Sequence, residues 1–180
     1  SDANGGTAPS YAGDGYTKRA EEKLKEVFGC DLRAFLVTSG TAANGLALSA
    51  ITPGYGAIIC HAEAHISVDE CNSPEMFTGG AKILGLHGPA GKITPAMVEK
   101  TLKGFIRGEH DPKPKGVSLT NATELGTVYT PGEVAALSTA VINKLTADQV
   151  GAMTTAQVVA LSTAQVRQLA STQIQALTSA

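Results

Sequence analysis

A chain of 180 residues with a net charge of −2 and a pI near 6.1 is long enough to bury one core, and its charge balance gives nucleic acid no handle. No apolar run approaches the roughly 18 residues of a membrane span, and no basic segment followed by an apolar one opens the chain. Cys30, Cys60 and Cys71 are too few, and odd in number, for a disulfide framework, so a reducing cytoplasm is expected, with neither membrane nor nucleic acid as partner.

Residues 1–15 are rich in Gly, Ala, Pro and Ser and read as a loop or arm. Thr17 is placed to cap a helix running to about Phe28, with Ala20, Leu24, Val27 and Phe28 on one face and Gly29 as its stop. Ala34-Phe35-Leu36-Val37 reads as a buried strand. It is followed by Thr38-Ser39-Gly40-Thr41 and a helix of small residues and leucines that ends near Thr52-Pro53-Gly54. A strand, a glycine turn and a helix start leave backbone N–H groups aimed at an anion, with Ser39 and Thr41 adding hydroxyls; the plain alternative is a turn with Thr41 as N-cap. Ala57–Cys60 is expected as a second, parallel strand and Ala81–Leu86 as a third. Thr94-Pro95 starts a helix whose apolar face, Val98, Leu102, Phe105 and Ile106, continues to about Arg107. Residues 109–115, with Pro112 and Pro114, read as a polar connection, and Gly116–Thr120 as a fourth strand. Strands alternating with helices predict an α/β layer with a mostly parallel sheet, whose ligands sit beyond the carboxyl ends of the strands.

The segment Cys60-His61-Ala62-Glu63-Ala64-His65 is the other chemical candidate. Its spacing through Cys71 matches no recurring zinc pattern and Glu63 is misplaced for an HExxH helix, so no metal is expected. Two readings stay open: one surface and one packed histidine at a strand's mouth, or a histidine ring stacked on a flat aromatic ligand.

Four ordered landmarks carry a family resemblance over about Thr7 to Leu137: Pro9–Thr17, Ser39-Gly40-Thr41-Ala42-Ala43-Asn44, Glu63-Ala64-His65, and Ala122-Thr123-Glu124-Leu125-Gly126-Thr127-Val128-Tyr129. Together they resemble the threonine aldolases, most closely the low-specificity L-threonine or phenylserine aldolase branch. The resemblance implies a partial pyridoxal-phosphate transferase fold of type I and a homo-oligomer with sites at a subunit interface. It also implies retro-aldol cleavage of small β-hydroxy-α-amino acids to glycine and an aldehyde. Gly40 and Thr41, with Ser39 beside them, would hold the phosphate of pyridoxal phosphate. His65 would stack on its ring and serve base chemistry at the substrate hydroxyl. Glu124 lies where many relatives place a substrate-facing histidine, and is the second catalytic candidate.

The resemblance also calls for an Asp in an Asp-Gly-Ala-Arg stretch and a Lys in a Thr-Lys stretch beyond Tyr129. Past Lys115 the sequence has Lys144 as its only lysine and Asp148 as its only aspartate, neither in such a motif. The expectation is a domain over 1–137 that is catalytically incomplete by itself. A segment over 138–180 follows, built from octads. Leu137, Leu145, Met153, Leu161, Leu169 and Leu177 recur every eight residues, with Ile142, Val150, Val158, Val166 and Ile174 in the sixth place. Two helical turns take about 7.2 residues, so one long amphipathic helix is disfavoured. Thr146-x-x-Gln149, Thr154-x-x-Gln157 and Ser162-x-x-Gln165 have capping-box form and predict short helices stacked as a solenoid with Leu and Val inside. The alternative to an aldolase-like enzyme is a non-catalytic fused structural or interaction protein built on that repeat.

Overall fold

The computed structural model describes residues 5–142, 163–167 and 169–178. Lys144, Asp148 and the octad positions between 143 and 162 lie outside them, as do the capping boxes expected from Thr146, Thr154 and Ser162. The chain divides into two compact units, Ser1–Thr38 and Ser39–Ala180.

The first unit carries helix α1 (Gly15–Phe28). Its cap is Asp14 rather than Thr17. The carboxylate has two acceptor oxygens, and it takes the Thr17 N–H at 2.8 Å and the Thr17 hydroxyl at 2.6 Å, which places Thr17 inside the first turn. Gly29 ends the helix in the left-handed conformation, as its position predicted (φ 64°). No residue of α1 is buried, and Val27 and Phe28 on its apolar face lie largely exposed. Ala34–Val37 forms no strand, which corrects the expectation from composition. A strand exists by hydrogen bonding to a neighbour, no strand among the described residues pairs with this run, and Phe35 and Leu36 are exposed.

The second unit is built on strand β1 (Gly56–His61), every residue of which is buried. It lies between two parallel neighbours, β2 (Lys82–Leu86) and β3 (Lys113–Val117), in the order β2-β1-β3. A strand covered on both faces needs a continuous apolar run, which is what Ala57-Ile58-Ile59-Cys60 provides. Side chains alternate across it. Ile58 and Cys60 pack with Leu48, Ala64 and Ile66 on one face, and Ile59 packs with Ile93, Val98, Tyr129 and Leu137 on the other. Helices α2 (Gly40–Ile51) and α4 (Ser73–Thr78) pack against each other, and α5 (Pro95–Lys103) packs against α6 (Pro131–Ile142). A Cβ on Gly45 of α2 would stand 2.7 Å from the Phe77 ring, so the first pairing requires glycine there. A short helix, α3 (His65–Val68), links β1 to the α4 region.

Three boundaries depart from expectation. The fourth strand is β3, and it begins at Lys113, inside the segment expected to be a connection. Pro114 is tolerated because β3 is an edge strand, and the register slips by one residue between Ala57↔Pro114 and Ile58↔Gly116. Helix α5 is capped by Thr94 as expected but stops at Lys103, where Gly104 turns the chain and leaves Ile106 exposed. Helix α6 begins with a capping box: the Thr130 hydroxyl accepts the Glu133 N–H at 3.2 Å and the Glu133 carboxylate accepts the Thr130 N–H at 2.7 Å.

In the octad region, α7 (Thr163–Val166) and α8 (Ser171–Thr178) are short helices starting eight residues apart, at a Thr and a Ser. The Gln165 amide donates to the Ser138 hydroxyl of α6 at 2.5 Å, and the Ala170 N–H reaches the Gln173 side-chain carbonyl at 2.6 Å. Leu169 and Gln173 are buried, whereas Val166 and Ile174 are exposed, so the sixth-place aliphatics do not face inward here. Within α8, Gln173 and Leu177 share one face by their spacing of four, and Leu169 precedes the helix.

Candidate active site

The turn before α2 is the first component. Ser39 is the N-cap of α2, in place of Thr41: it has extended backbone, and its Oγ accepts the Ala42 N–H at 3.2 Å. The Ala43 N–H is taken by the Ser39 carbonyl. Gly40 and Thr41 form the first turn, where backbone N–H groups have no partner within the helix, and a Cβ built on Gly40 meets nothing within 4 Å. The Gly40 and Thr41 N–H groups at the positive end of a 12-residue helix therefore have no partner within it, and Gly40 itself is exposed.

The second component follows β1. His61, the last residue of the strand, is packed: the Glu63 N–H donates to its Nδ1 at 3.1 Å, so Nε2 carries the proton and donates to the Gly88 carbonyl at 3.0 Å. Both ring nitrogens are thereby engaged by backbone. His65, the first residue of α3, has a side chain about half exposed (49%), and its Nδ1 lies 3.0 Å from Glu70 Oε1. The same oxygen accepts the Asn44 Nδ2–H at 2.6 Å. Asn44 lies one turn along α2 from Gly40, so a single carboxylate oxygen joins the histidine to the helix that carries the turn. The Glu70 hydrogen bond holds the His65 pKa above its ordinary value, with Asp69 and Glu124 adding in the same direction.

The third component is the loop after β3. Its backbone is held by a threonine pair. The Thr123 and Thr127 hydroxyls are 2.8 Å apart, and Thr127 also donates to the Ala90 carbonyl at 2.6 Å. Gly91 lies against this loop at φ 73°, and a Cβ there would approach Thr123 Oγ1 to 2.9 Å. The Tyr129 hydroxyl, buried in the core, accepts the Ile93 N–H at 2.7 Å. This loop places Glu124, exposed, in the wall of a small cleft with His61, Glu63, Thr120, Thr123 and Tyr129. The cleft opens beyond the carboxyl ends of β1 and β3, the place where open α/β sheets take ligands.

The fold thus gathers His65, the Glu124 charge and, through Asn44, the Ser39–Thr41 turn. Sequence reasoning missed Glu70 and Asn44. The one local signal for Glu70 is an acidic residue five positions past His65, and its bond to Asn44 spans 26 residues. The N–H groups at the start of α2 and the half-exposed imidazole of His65 are the donor set and the flat ring that a pyridoxal phosphate would require, although neither lines that small cleft. The lysine that such a cofactor needs for covalent attachment is not supplied by any residue described above.

Residues 1–146 match the beta-eliminating lyase family and residues 131–163 match the ALTTAQ repeat, so the start of α6 and the residues after it satisfy both. Over 137 residues the chain is 42% identical to the low specificity L-threonine aldolase of Pseudomonas aeruginosa and 42% identical to that of a Pseudomonas sp. strain. Each match covers 76% of this chain and 39% of the relative. A solved structure titled as an initial structural analysis of Leishmania major threonine aldolase resembles the chain with a TM-score of 0.72 at 28% identity, covering 77% of this chain and 40% of that one. The chain spans about two fifths of the length of the curated relatives it matches.

Proposed function

The chain belongs to the beta-eliminating lyase family, and from that premise we propose that it carries the phosphate- and ring-holding part of a threonine-aldolase-like lyase. The proposed reaction is retro-aldol cleavage of small β-hydroxy-α-amino acids to glycine and an aldehyde. Pyridoxal phosphate is the family's cofactor, and when bound it supplies an electron sink for the bond broken at the amino acid's α-carbon. Gly40 and Thr41 would hold its phosphate through their backbone N–H groups, with the Thr41 and Ser39 hydroxyls adding to them. His65 would lie on the ring side and would exchange a proton at Nε2 with the substrate hydroxyl. Glu124 faces the same substrate from the loop after β3. A homo-oligomer in the cytoplasm is part of the same reading; no helix among the described residues is long and apolar enough to cross a membrane.

The observation that supports this reading is the Asn44–Glu70–His65 bridge, which ties the helix that carries the Ser39–Thr41 turn to a half-exposed imidazole. Within residues 1–180, Lys144 and Asp148 stand outside any motif that would complete the site, so we expect this stretch to bind without a covalent link and to take part in cleavage only with a lysine supplied from outside it. An absorbance titration with pyridoxal phosphate, before and after borohydride, tests this. Saturable binding that Thr41→Ala weakens about tenfold, with nothing trapped on reduction, is the expected result. Absence of saturable binding defeats the proposal, and a cofactor trapped on one lysine replaces its second half with a complete enzyme.

The repeat match over 131–163 and the eight-residue spacing of α7 and α8 favour a second reading, a fused structural or interaction protein whose phosphate turn has no ligand. The same titration separates the two.

A further inference from the structure

The Glu70 carboxylate is wholly removed from solvent in the turn between α3 and α4, and its placement is unexplained by packing alone. Its Oε1 takes two donors, the Asn44 amide and His65 Nδ1, while Oε2 is buried without a hydrogen-bond partner. A buried carboxylate with one idle oxygen is costly to fold around, and one that spends its other oxygen on a half-exposed ring orders a group that solvent would otherwise leave free. We propose that Glu70 is a positioning residue, which fixes the tautomer and direction of His65 and is itself aimed by Asn44 of the phosphate-turn helix. The proposal rests on the reading of His65 as the ring-side histidine of the site.

The chemistry follows from the donor inventory. An ionised carboxylate only accepts, so the ring hydrogen of His65 stands on Nδ1 and its Nε2 lone pair points away from Glu70. An imidazole left to itself in water favours the opposite tautomer and turns freely about its bonds. The carboxylate therefore converts a surface histidine into an oriented acceptor, as an outer carboxylate does for a metal-bound or catalytic histidine. Asn44 closes the geometry: it donates to the very oxygen that His65 uses, which leaves that oxygen one direction in which to receive the ring. Three acidic groups act on His65, namely Glu70 by a direct bond and Asp69 and Glu124 by charge alone, and only the first can choose a tautomer.

Nitrogen-15 NMR of the His65 ring in the full-length, ligand-free chain tests the proposal. Above the titration midpoint the wild-type ring should carry its proton on Nδ1. Glu70→Gln should lower the midpoint and reduce the Nδ1–H population, Asn44→Ala should do the same to a smaller extent, and Glu124→Gln should move the midpoint slightly with the tautomer unchanged. An Nε2–H tautomer in the wild type overturns the proposal and needs no variant to be folded. So does a Glu70→Gln titration that superposes on the wild type. Failure of pyridoxal phosphate to bind defeats the proposed function and does not touch this measurement, which is read without ligand.

Discussion

Ala57–Cys60 and Ala34–Val37 are apolar runs of the same length, and they meet opposite environments. The first is the middle of a sheet, hydrogen-bonded on both sides and wholly buried between two layers of helix. The second belongs to the other compact unit, pairs with no described strand, and exposes Phe35 at 80% and Leu36 at 72%. Apolar side chains supply the drive to leave water, but a strand is a pairing, and its backbone groups need a neighbour before burial is favourable. The exposed run is therefore apolar surface that pairs with no described strand, whereas β1 is the axis about which both core clusters form.

Ile59→Ala should break the buried run, costing about 2–5 kcal/mol in urea unfolding, because Ile59 is fully enclosed and the site has little room to collapse. Tyr129→Phe should cost about 1–3 kcal/mol in the same experiment: it removes the acceptor of the buried Ile93 N–H without changing the ring that packs beneath β1. A smaller, pH-dependent effect belongs to Glu133. The Thr130 N–H and the Lys92 ammonium hold its carboxyl down to about 2 from its ordinary 4.5. A depressed folded-state value contributes stability that is complete above about 4.5 and lost as pH falls through about 2. The gap between wild type and Glu133→Gln in acid-unfolding curves should therefore be constant at neutral pH and close across that window. Leu36→Ala should shift stability by less than about 0.5 kcal/mol. A loss comparable with that of Ile59→Ala would mean that Ala34–Val37 is covered in solution, and the contrast would have to be withdrawn.

Part of the fold was legible in short stretches. Gly29 as a helix stop, Thr94-Pro95 as a helix start, and the runs of β1 and β2 are local signals, since each depends on neighbours within four residues. The turn at Ser39–Thr41 was legible for the same reason, although the capping role went to Ser39. The start of strand β3 was not, because Pro114 argues against a strand unless the strand is known to be an edge, although Gly116-Val117 was expected as strand. The short helices α3 and α4 are too brief to show a period, and the inward faces of α7 and α8 depend on what lies beneath them.

Membership of a lyase family, the parallel α/β plan and the helix-opening turn at Ser39–Thr41 were determined by the sequence alone, because glycine turns, caps and apolar runs act over a few residues. Which apolar run became a strand, and that one buried carboxylate oxygen would join Asn44 to His65, was decided only by tertiary structure. Those outcomes depend on partners far along the chain, such as Asn44 and Glu70 or Ala57 and Lys82, brought into contact by the closing of the sheet, and no local pattern records them.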